Sequence, residues 1–149
     1  MDPKRVSIVI PAYNEEGAIA EVVTELLKAF PESELIVIND CSTDKTKEKA
    51  EAAGAKVISH QRNRGYGAGL KTGTRNATRD YILFCDADGQ HTAEDVGRLI
   101  NEVDGFDMVV GARGQDSHQP LIRRPENLYY AGFANYLAGI KIPDLNSGL

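Results

Sequence analysis

Apolar residues along the chain fall into short, nearly continuous runs separated by stretches of helical spacing. Residues 6–10 (VSIVI), 35–38 (LIVI), 81–84 (YILF) and 108–110 (MVV) are runs of the first kind. Their β-branched character and the lack of in/out alternation predict strands buried on both faces, as in a parallel sheet. Between the first two, Ile19, Val22, Val23, Leu26, Leu27 and Phe30 recur at helical spacing and Pro31 supplies the stop, which predicts an amphipathic helix. A second helix is expected from Thr43 or Asp44 to Gly54, with Asp44 as its cap. A weaker strand follows over 56–59 and a small-residue helix over 68–77. Thr92 and Asp95 have capping-box spacing for a helix reaching about Val103, and Pro125 suits the first turn of another running to Gly139. Strands alternating with helices imply an α/β fold with a mostly parallel sheet, in which ligands bind at the carboxyl ends of the strands.

The length of 149 residues fits one domain with one sizeable core. No linker divides the chain, and residues 112–124, with three arginines and Pro120, are the expected mobile loop. The chain stops at Asn146-Ser147-Gly148-Leu149, just after a strand-like Ile140-Lys141-Ile142, so the expectation is a domain incomplete at its C-terminus. A net charge of −5 disfavours a nucleic-acid partner, whose phosphates need many lysines and arginines. Cys41 and Cys85 have neither CxxC spacing nor a histidine cluster, which argues against a zinc or disulfide framework and fits the cytoplasm. No apolar run approaches the roughly 20 residues of a membrane span.

The first strand runs into Pro11-Ala12-Tyr13-Asn14-Glu15-Glu16, and neither GxGxxG nor GxxxxGK[ST] follows it. Ordinary dinucleotide and P-loop folds are thereby disfavoured. The sharpest local signal is Asp86-Ala87-Asp88-Gly89-Gln90-His91 after an apolar strand. Two carboxylates two residues apart share a face of an extended chain. Their mutual repulsion is relieved by a hard cation such as Mg2+ or Mn2+, which takes one or two carboxylates and completes its shell with water and phosphate oxygens. The alternative is a pair of turn-capping aspartates. Asp40, at the end of the second strand, is either an acceptor for a nucleobase or a plain turn residue.

PAYNEE, VINDCSTDKT, NRGYGAGLKTG and DADGQH, in that order, resemble the inverting family 2 glycosyltransferases of GT-A fold. The VVGAR, arginine-pair and DLNSG segments that follow resemble the dolichyl-phosphate mannose synthase and polyprenyl-phosphate glycosyltransferase branch. The resemblance spans essentially the whole chain. It implies transfer of a hexose from a GDP- or UDP-sugar to a polyprenyl or dolichyl phosphate, with inversion, at the cytoplasmic face of a membrane. Pro11, Ala12, Tyr13 and Glu15 correspond to nucleoside contacts and Asp40 to the base-recognising acid, although Asn39 and Cys41 replace the family's preceding acid and following glycine. Gly65, Gly67 and Lys71 correspond to the glycine-rich segment beside the nucleotide; close packing of a small-residue helix on the sheet is the competing role.

By the same resemblance Asp86 faces nucleotide and metal, while Asp88 and Gln90 complete the metal site. His91 is left as structural or just outside it, because hard cations prefer oxygen. Arg113, Arg123 and Arg124 suit an acceptor phosphate, with Arg113 and Arg124 the candidates for a catalytic role; a solvated basic loop is the alternative. Asp144 and Ser147 suit acceptor or phosphate positioning. His60 and His118 carry no spacing signal and are expected at the surface. Tyr129, Tyr130, Phe133, Tyr136 and Leu137 form an aromatic stripe expected to pack in the core. Two other readings remain: a family 2 transferase extending a polysaccharide or glycolipid, and a noncatalytic nucleotide-binding module.

Overall fold

The computed structural model describes residues 2–111. After a 3-10 turn at Pro3–Arg5 the order is β1 (Val6–Ala12), α1 (Ile19–Ala29), β2 (Glu34–Asn39), α2 (Thr46–Ala52), β3 (Lys56–Ser59), α3 (Tyr66–Asn76), β4 (Tyr81–Phe84) and α4 (Ala93–Glu102). The strands form one parallel sheet in the order β3-β2-β1-β4. Each predicted element through α4 is present, with boundaries shifted by a few residues. The expected strand at 108–110 is not: the segment makes no ladder, and Met108 and Val110 are exposed. Apolar, β-branched composition does not by itself make a strand, and among the described residues no strand pairs with this segment. Expectations for residues 112–149, including the helix from Pro125, the loop, the aromatic stripe and His118, lie outside the described residues.

Alternation along β1 divides the core. Ile8 and Ile10 join Leu35, Val37, α1 residues Ile19, Val22, Val23 and Leu26, and α4 residues Val96 and Ile100 on one side. Val9 joins Ile36 and Ile38 on the other, with Ala77 and Phe84 packed against them. Both faces of the central strands are therefore dry, which is why their sequences are continuously apolar.

On the second face α3 lies close to β1. Gly69 and Gly73 are one turn apart and share a helix face. A Cβ at Gly69 would lie 3.1 Å from Pro11 Cβ, and one at Gly73 would overlap Val9 Cγ1 and lie 3.1 Å from its Cγ2. The small residues of α3 are what allow this approach. Helix α1 ends where Pro31 cannot continue it, and Phe30 N–H donates to Leu26 O at 2.8 Å in the last turn. Helix α4 opens with the predicted capping box, in which Thr92 Oγ1 accepts from Asp95 N–H and Asp95 accepts from Thr92 N–H.

The chain moves outward from β1 to β2 to β3, then α3 carries it back to place β4 on the other side of β1. The carboxyl ends of β1 and β4 thus flank the point where the winding reverses, the position at which open α/β sheets form ligand crevices.

Candidate active site

At that point lies a cleft of about 330 Å3 lined by Pro11, Ala12, Tyr13, Glu15, Asp40, Asn63, Gly65, Tyr66, Gly69, Asp86, Ala87 and Asp88. Segments remote in sequence meet here: the end of β1, the end of β2, the turn entering α3, and the loop after β4.

The β1 wall is held by a dense set of bonds to the loop after β2. Asn14 adopts φ 57°, a left-handed conformation that asparagine tolerates better than most residues. Its Oδ1 accepts from Thr43 N–H at 2.8 Å, and its own N–H donates to Ser42 Oγ at 3.0 Å. Glu15 N–H donates to Thr46 Oγ1 at 2.8 Å, Glu16 N–H to Asp44 at 3.1 Å, and Lys45 N–H to Glu16 at 3.1 Å. Asp44 also accepts from Thr46 N–H at 3.0 Å at the start of α2. The Glu15 and Glu16 side chains follow a fixed backbone, and Tyr13 is left 47% exposed in the cleft. Cys41, standing where the family pattern has glycine, adopts φ 62°. The glycine-like backbone is kept although its residue is not.

Asp40 is buried at the end of β2, with its side chain 7% exposed. Its Oδ1 accepts from Arg64 N–H at 2.9 Å and faces His60 Nδ1 at 2.6 Å; its Oδ2 accepts from Gly65 N–H at 2.7 Å and Arg64 N–H at 3.1 Å. Burial alone would raise this carboxyl's pKa, but the bonds from His60, Arg64 and Gly65 outweigh it and hold it below the ordinary value. His60 is not a surface residue, contrary to expectation: its side chain is 6% exposed, and Nε2 lies 2.8 Å from Thr72 Oγ1. The partners are twelve and twenty residues away in sequence, so no local spacing betrays the role.

On the β4 side the Tyr66 hydroxyl donates to Asp86 Oδ1 at 3.0 Å, and His91 Nε2 lies 3.7 Å from Asp86 Oδ2. Asp88 Oδ1 accepts from the Gln90 backbone N–H at 3.0 Å. Burial and then the neighbouring Asp86 push the Tyr66 phenol up to about 12; burial, Asp86 and Asp88 push the buried Cys85 thiol to about 12. The Glu15 carboxyl is raised by burial first, then by Asp88, Asp44 and Asp86. The cleft is therefore strongly electronegative: among the described residues its lining holds four carboxylates, Glu15, Asp40, Asp86 and Asp88, and no lysine or arginine.

Pro11, Ala12, Tyr13, Glu15, Asp40, Gly65, Asp86 and Asp88 of the sequence-derived set thus share one cleft. Gln90 is exposed and does not line it. Gly67 and Lys71 line a neighbouring hollow of about 510 Å3 with Arg64, Thr72 and Arg75. Arg113, Arg123, Arg124, Asp144 and Ser147 lie outside the described residues. Sequence reasoning did not single out Asn63, Tyr66 or Gly69 as cleft residues; all three sit in the quoted NRGYGAGL segment, but only the path of the chain into α3 assigns them to the cleft.

Among the described residues no three His, Cys, Asp or Glu side chains gather around one metal position. Asp86 and Asp88 still offer hard oxygen donors at the rim of a cleft, and one or two carboxylates are what Mg2+ or Mn2+ takes from protein when phosphate and water supply the rest. The donor set fits such an ion. No helix among the described residues is long and apolar enough to cross a membrane.

Comparison with known proteins agrees with this architecture. The profile of glycosyl transferase family 2 matches residues 7–145. An uncharacterized protein of Methanocaldococcus jannaschii is 38% identical over 95% of this chain and 62% of its own length. The undecaprenyl-phosphate 4-deoxy-4-formamido-L-arabinose transferase of Klebsiella pneumoniae is 34% identical over 81% of this chain and 40% of its own. The dolichyl-phosphate hexose transferase of Haloferax volcanii is 29% identical over 96% and 64%. The chain thus spans between 40% and 64% of the length of these relatives. Glucosyl-3-phosphoglycerate synthase from Mycobacterium tuberculosis, solved with Mn2+, uridine-diphosphate-glucose and phosphoglyceric acid, is 27% identical over 70% of this chain and 41% of its own, with a TM-score of 0.62. The same enzyme with Mn2+, uridine-diphosphate and glucosyl-3-phosphoglycerate superposes on 96% of this chain and 54% of its own at a TM-score of 0.76 and 24% identity, a likeness of fold. With a GT-A sheet, a cleft at its reversal point and a family profile over nearly its whole length, this chain belongs to glycosyl transferase family 2.

Proposed function

We propose that the chain forms the catalytic, nucleotide-sugar-binding domain of an inverting, metal-dependent hexosyltransferase that moves a sugar from a GDP- or UDP-linked donor to a polyprenyl or dolichyl phosphate. The observation that carries the donor and metal assignment is the charge of the cleft. Four carboxylates line it without a lysine or arginine among the described residues, so a nucleoside diphosphate would meet net repulsion unless a cation accompanied it. Asp86 and Asp88 would hold that cation, Mg2+ or Mn2+, and the chemistry it would supply there is neutralisation of the departing diphosphate. Tyr66 keeps Asp86 oriented through its 3.0 Å bond. Pro11, Ala12 and Tyr13 present an apolar shelf for the nucleoside, with Glu15 beside it.

In the reaction a phosphate oxygen of the acceptor forms a bond to the anomeric carbon from the side opposite the diphosphate. The carbon–oxygen bond to the diphosphate breaks, and the nucleoside diphosphate leaves with the electron pair. The configuration inverts. An acceptor phosphate is already anionic near neutral pH, so no residue has to remove a proton. Arg113, Arg123 and Arg124 are assigned to the acceptor phosphate, with Asp144 and Ser147 in its positioning. Support for a lipid-phosphate acceptor comes from the names of the Klebsiella and Haloferax relatives; support for the divalent ion and a uridine nucleotide comes from the ligands of the mycobacterial enzyme. Such an acceptor implies work at a membrane surface, and the reading assigns the domain to its cytoplasmic face.

Calorimetric titration of UDP, GDP and their sugar conjugates into the protein, with Mn2+ or with chelator, tests the reading. Mn2+-dependent binding of one diphosphate is expected, weakened at least tenfold in Asp88→Asn. A folded protein that binds none of them, or binds one equally well in chelator, overturns it.

A further inference from the structure

Charge is segregated along this chain. Residues 52–79 hold six of its 17 lysines and arginines and none of its 22 aspartates and glutamates, although the net charge is −5. The fold turns that segregation into two sides. Helices α1, α2 and α4 pack on the first face of the sheet and carry seven aspartates and glutamates between them. Helix α3 packs on the second face through Gly69 and Gly73 and carries none. Gly67, Lys71 and Arg75, at successive steps of four, lie on the side of α3 turned away from those glycines, and all three are exposed. With Arg64 they line the hollow of about 510 Å3 beside the cleft. Among the described residues no carboxylate forms an ion pair with Arg64, Lys71 or Arg75. Glu51 and Asp80, the acids that bound the basic stretch, pair instead with Lys47 and Arg5.

We propose that the outward face of α3 docks the domain on an anionic membrane surface, with lipid phosphates received in the hollow of Arg64, Lys71 and Arg75. The inference rests on the reading that the acceptor is a lipid phosphate. Lys71 and Arg75 are one turn apart and Arg64 precedes the helix, so the cations spread over about 15 Å. A single free phosphate reaches one or two of them, whereas a layer of headgroups reaches all three. The same layer repels the acid-bearing helices of the other face, so charge alone decides which side meets the lipid. Gly65 and Tyr66 line both the hollow and the cleft. Docking by this face therefore brings the rim of the donor cleft to the headgroups, where a lipid acceptor is presented. Each lysine or arginine at an anionic surface strengthens binding roughly fivefold, and added salt screens the effect.

Co-sedimentation of the intact chain with vesicles tests this. The parent should bind phosphatidylcholine vesicles containing one-third phosphatidylglycerol at least tenfold more tightly than pure phosphatidylcholine, and lose that preference in high salt. The double variant Lys71→Gln/Arg75→Gln should bind the anionic vesicles at least tenfold more weakly. Lys28→Gln/Lys47→Gln removes the same charge from α1 and α2 and should stay within about twofold of the parent, because those cations face away from the lipid. Arg75→Gln alone, expected to lose roughly fivefold, carries the comparison if the double variant does not fold. A parent that binds both vesicles alike, or neither, overturns the docking face, and so does equal weakening by the two double variants. Calorimetric saturation of the parent by inorganic phosphate, lost in Lys71→Gln/Arg75→Gln and unaccompanied by vesicle binding, makes the hollow a site for a free anion and also overturns it. Titration of UDP and GDP with Mn2+ separates the two readings. Diphosphate binding without vesicle binding sinks the docking face alone, and vesicle binding through α3 without diphosphate binding upholds it while the donor reading fails.

Discussion

Gly73→Ala is the substitution whose outcome follows most directly from the packing. In an exposed helix it would be favourable by about 1 kcal/mol, because alanine is the better helix former. At this position the new methyl overlaps Val9 Cγ1 and lies 3.1 Å from Cγ2 and 3.2 Å from Cβ of the same valine. Carbon atoms rest at roughly 3.5–4.0 Å. Rotating Val9 about χ1 does not clear the clash, since its Cβ stays where it is, and Val9 is fully buried between sheet and helix. The helix must retreat by about 1 Å, the kind of overpacking that costs about 1–3 kcal/mol. Set against the propensity gain, the net loss should be about 0–2 kcal/mol, which leaves Gly73→Ala about 1–3 kcal/mol below a position where the same methyl meets nothing. The same retreat carries Gly65 and Tyr66 away from Asp86, and misplacements of that size reduce turnover by about 100-fold in positioned active sites. Urea unfolding monitored by circular dichroism reads the stability. Gly67→Ala is the matched control: nothing lies within 4 Å of its added methyl, so it should gain about 0.5–1 kcal/mol. Val9→Ala in the Gly73→Ala background should recover part of the loss. Gly73→Ala as stable as Gly67→Ala would refute the close-packing account of α3.

Other outcomes follow from single features. The Glu15 carboxyl is raised above its ordinary value of 4.5, so its contribution to stability is full below that value and is lost as pH rises through the folded-state pKa. Glu15→Gln should therefore melt higher than the parent at pH 7 and converge with it at pH 4, and a difference independent of pH across that interval would remove the repulsion from the account. Thr92→Ala deletes half of the capping box at α4 and should cost about 1 kcal/mol in chemical denaturation; a loss under a few tenths would show the cap to be idle. Cys41 holds φ 62°, so Cys41→Gly should change stability by less than about 0.5 kcal/mol while Cys41→Val loses about 1–2 kcal/mol, and equal melting temperatures for the two would contradict a left-handed backbone there.

Legibility in the sequence followed the range of the interactions involved. Local rules were sufficient for the two-sided burial of β1 and β2, the stop at Pro31 and the Thr92–Asp95 cap, because each depends on residues within one or two turns. The glycine cluster held two roles that spacing alone did not divide: Gly69 and Gly73 pack on β1, Gly65 turns the chain, and Gly67 does neither. His60 was opaque because its partners come from β2 and α3, so its meaning exists only once those elements are side by side. Residues 108–110 failed in the opposite sense, since apolar β-branched character is necessary for a buried strand but does not supply the neighbour. The DxD pair was visible for its charge and its place after a strand, whereas Tyr66 as a partner of Asp86 required the path of the chain into α3.

The two sides of the cleft differ in how much freedom they have left to lose. The 14–16 and 42–46 segments are cross-linked by five backbone-to-side-chain bonds between them, so the surface proposed to meet the nucleoside is held in place before any ligand arrives. Among the described residues, the loop after β4 holds its acids by fewer constraints: the Tyr66 bond and the His91 contact at Asp86, and the short turn at Asp88. Ordering entropy on ligand capture should accordingly concentrate in the acid loop. A substituent on the nucleoside would be tolerated or rejected by shape alone, as by a mould, while a change of sugar or ion would be met by a wall that can still settle around it.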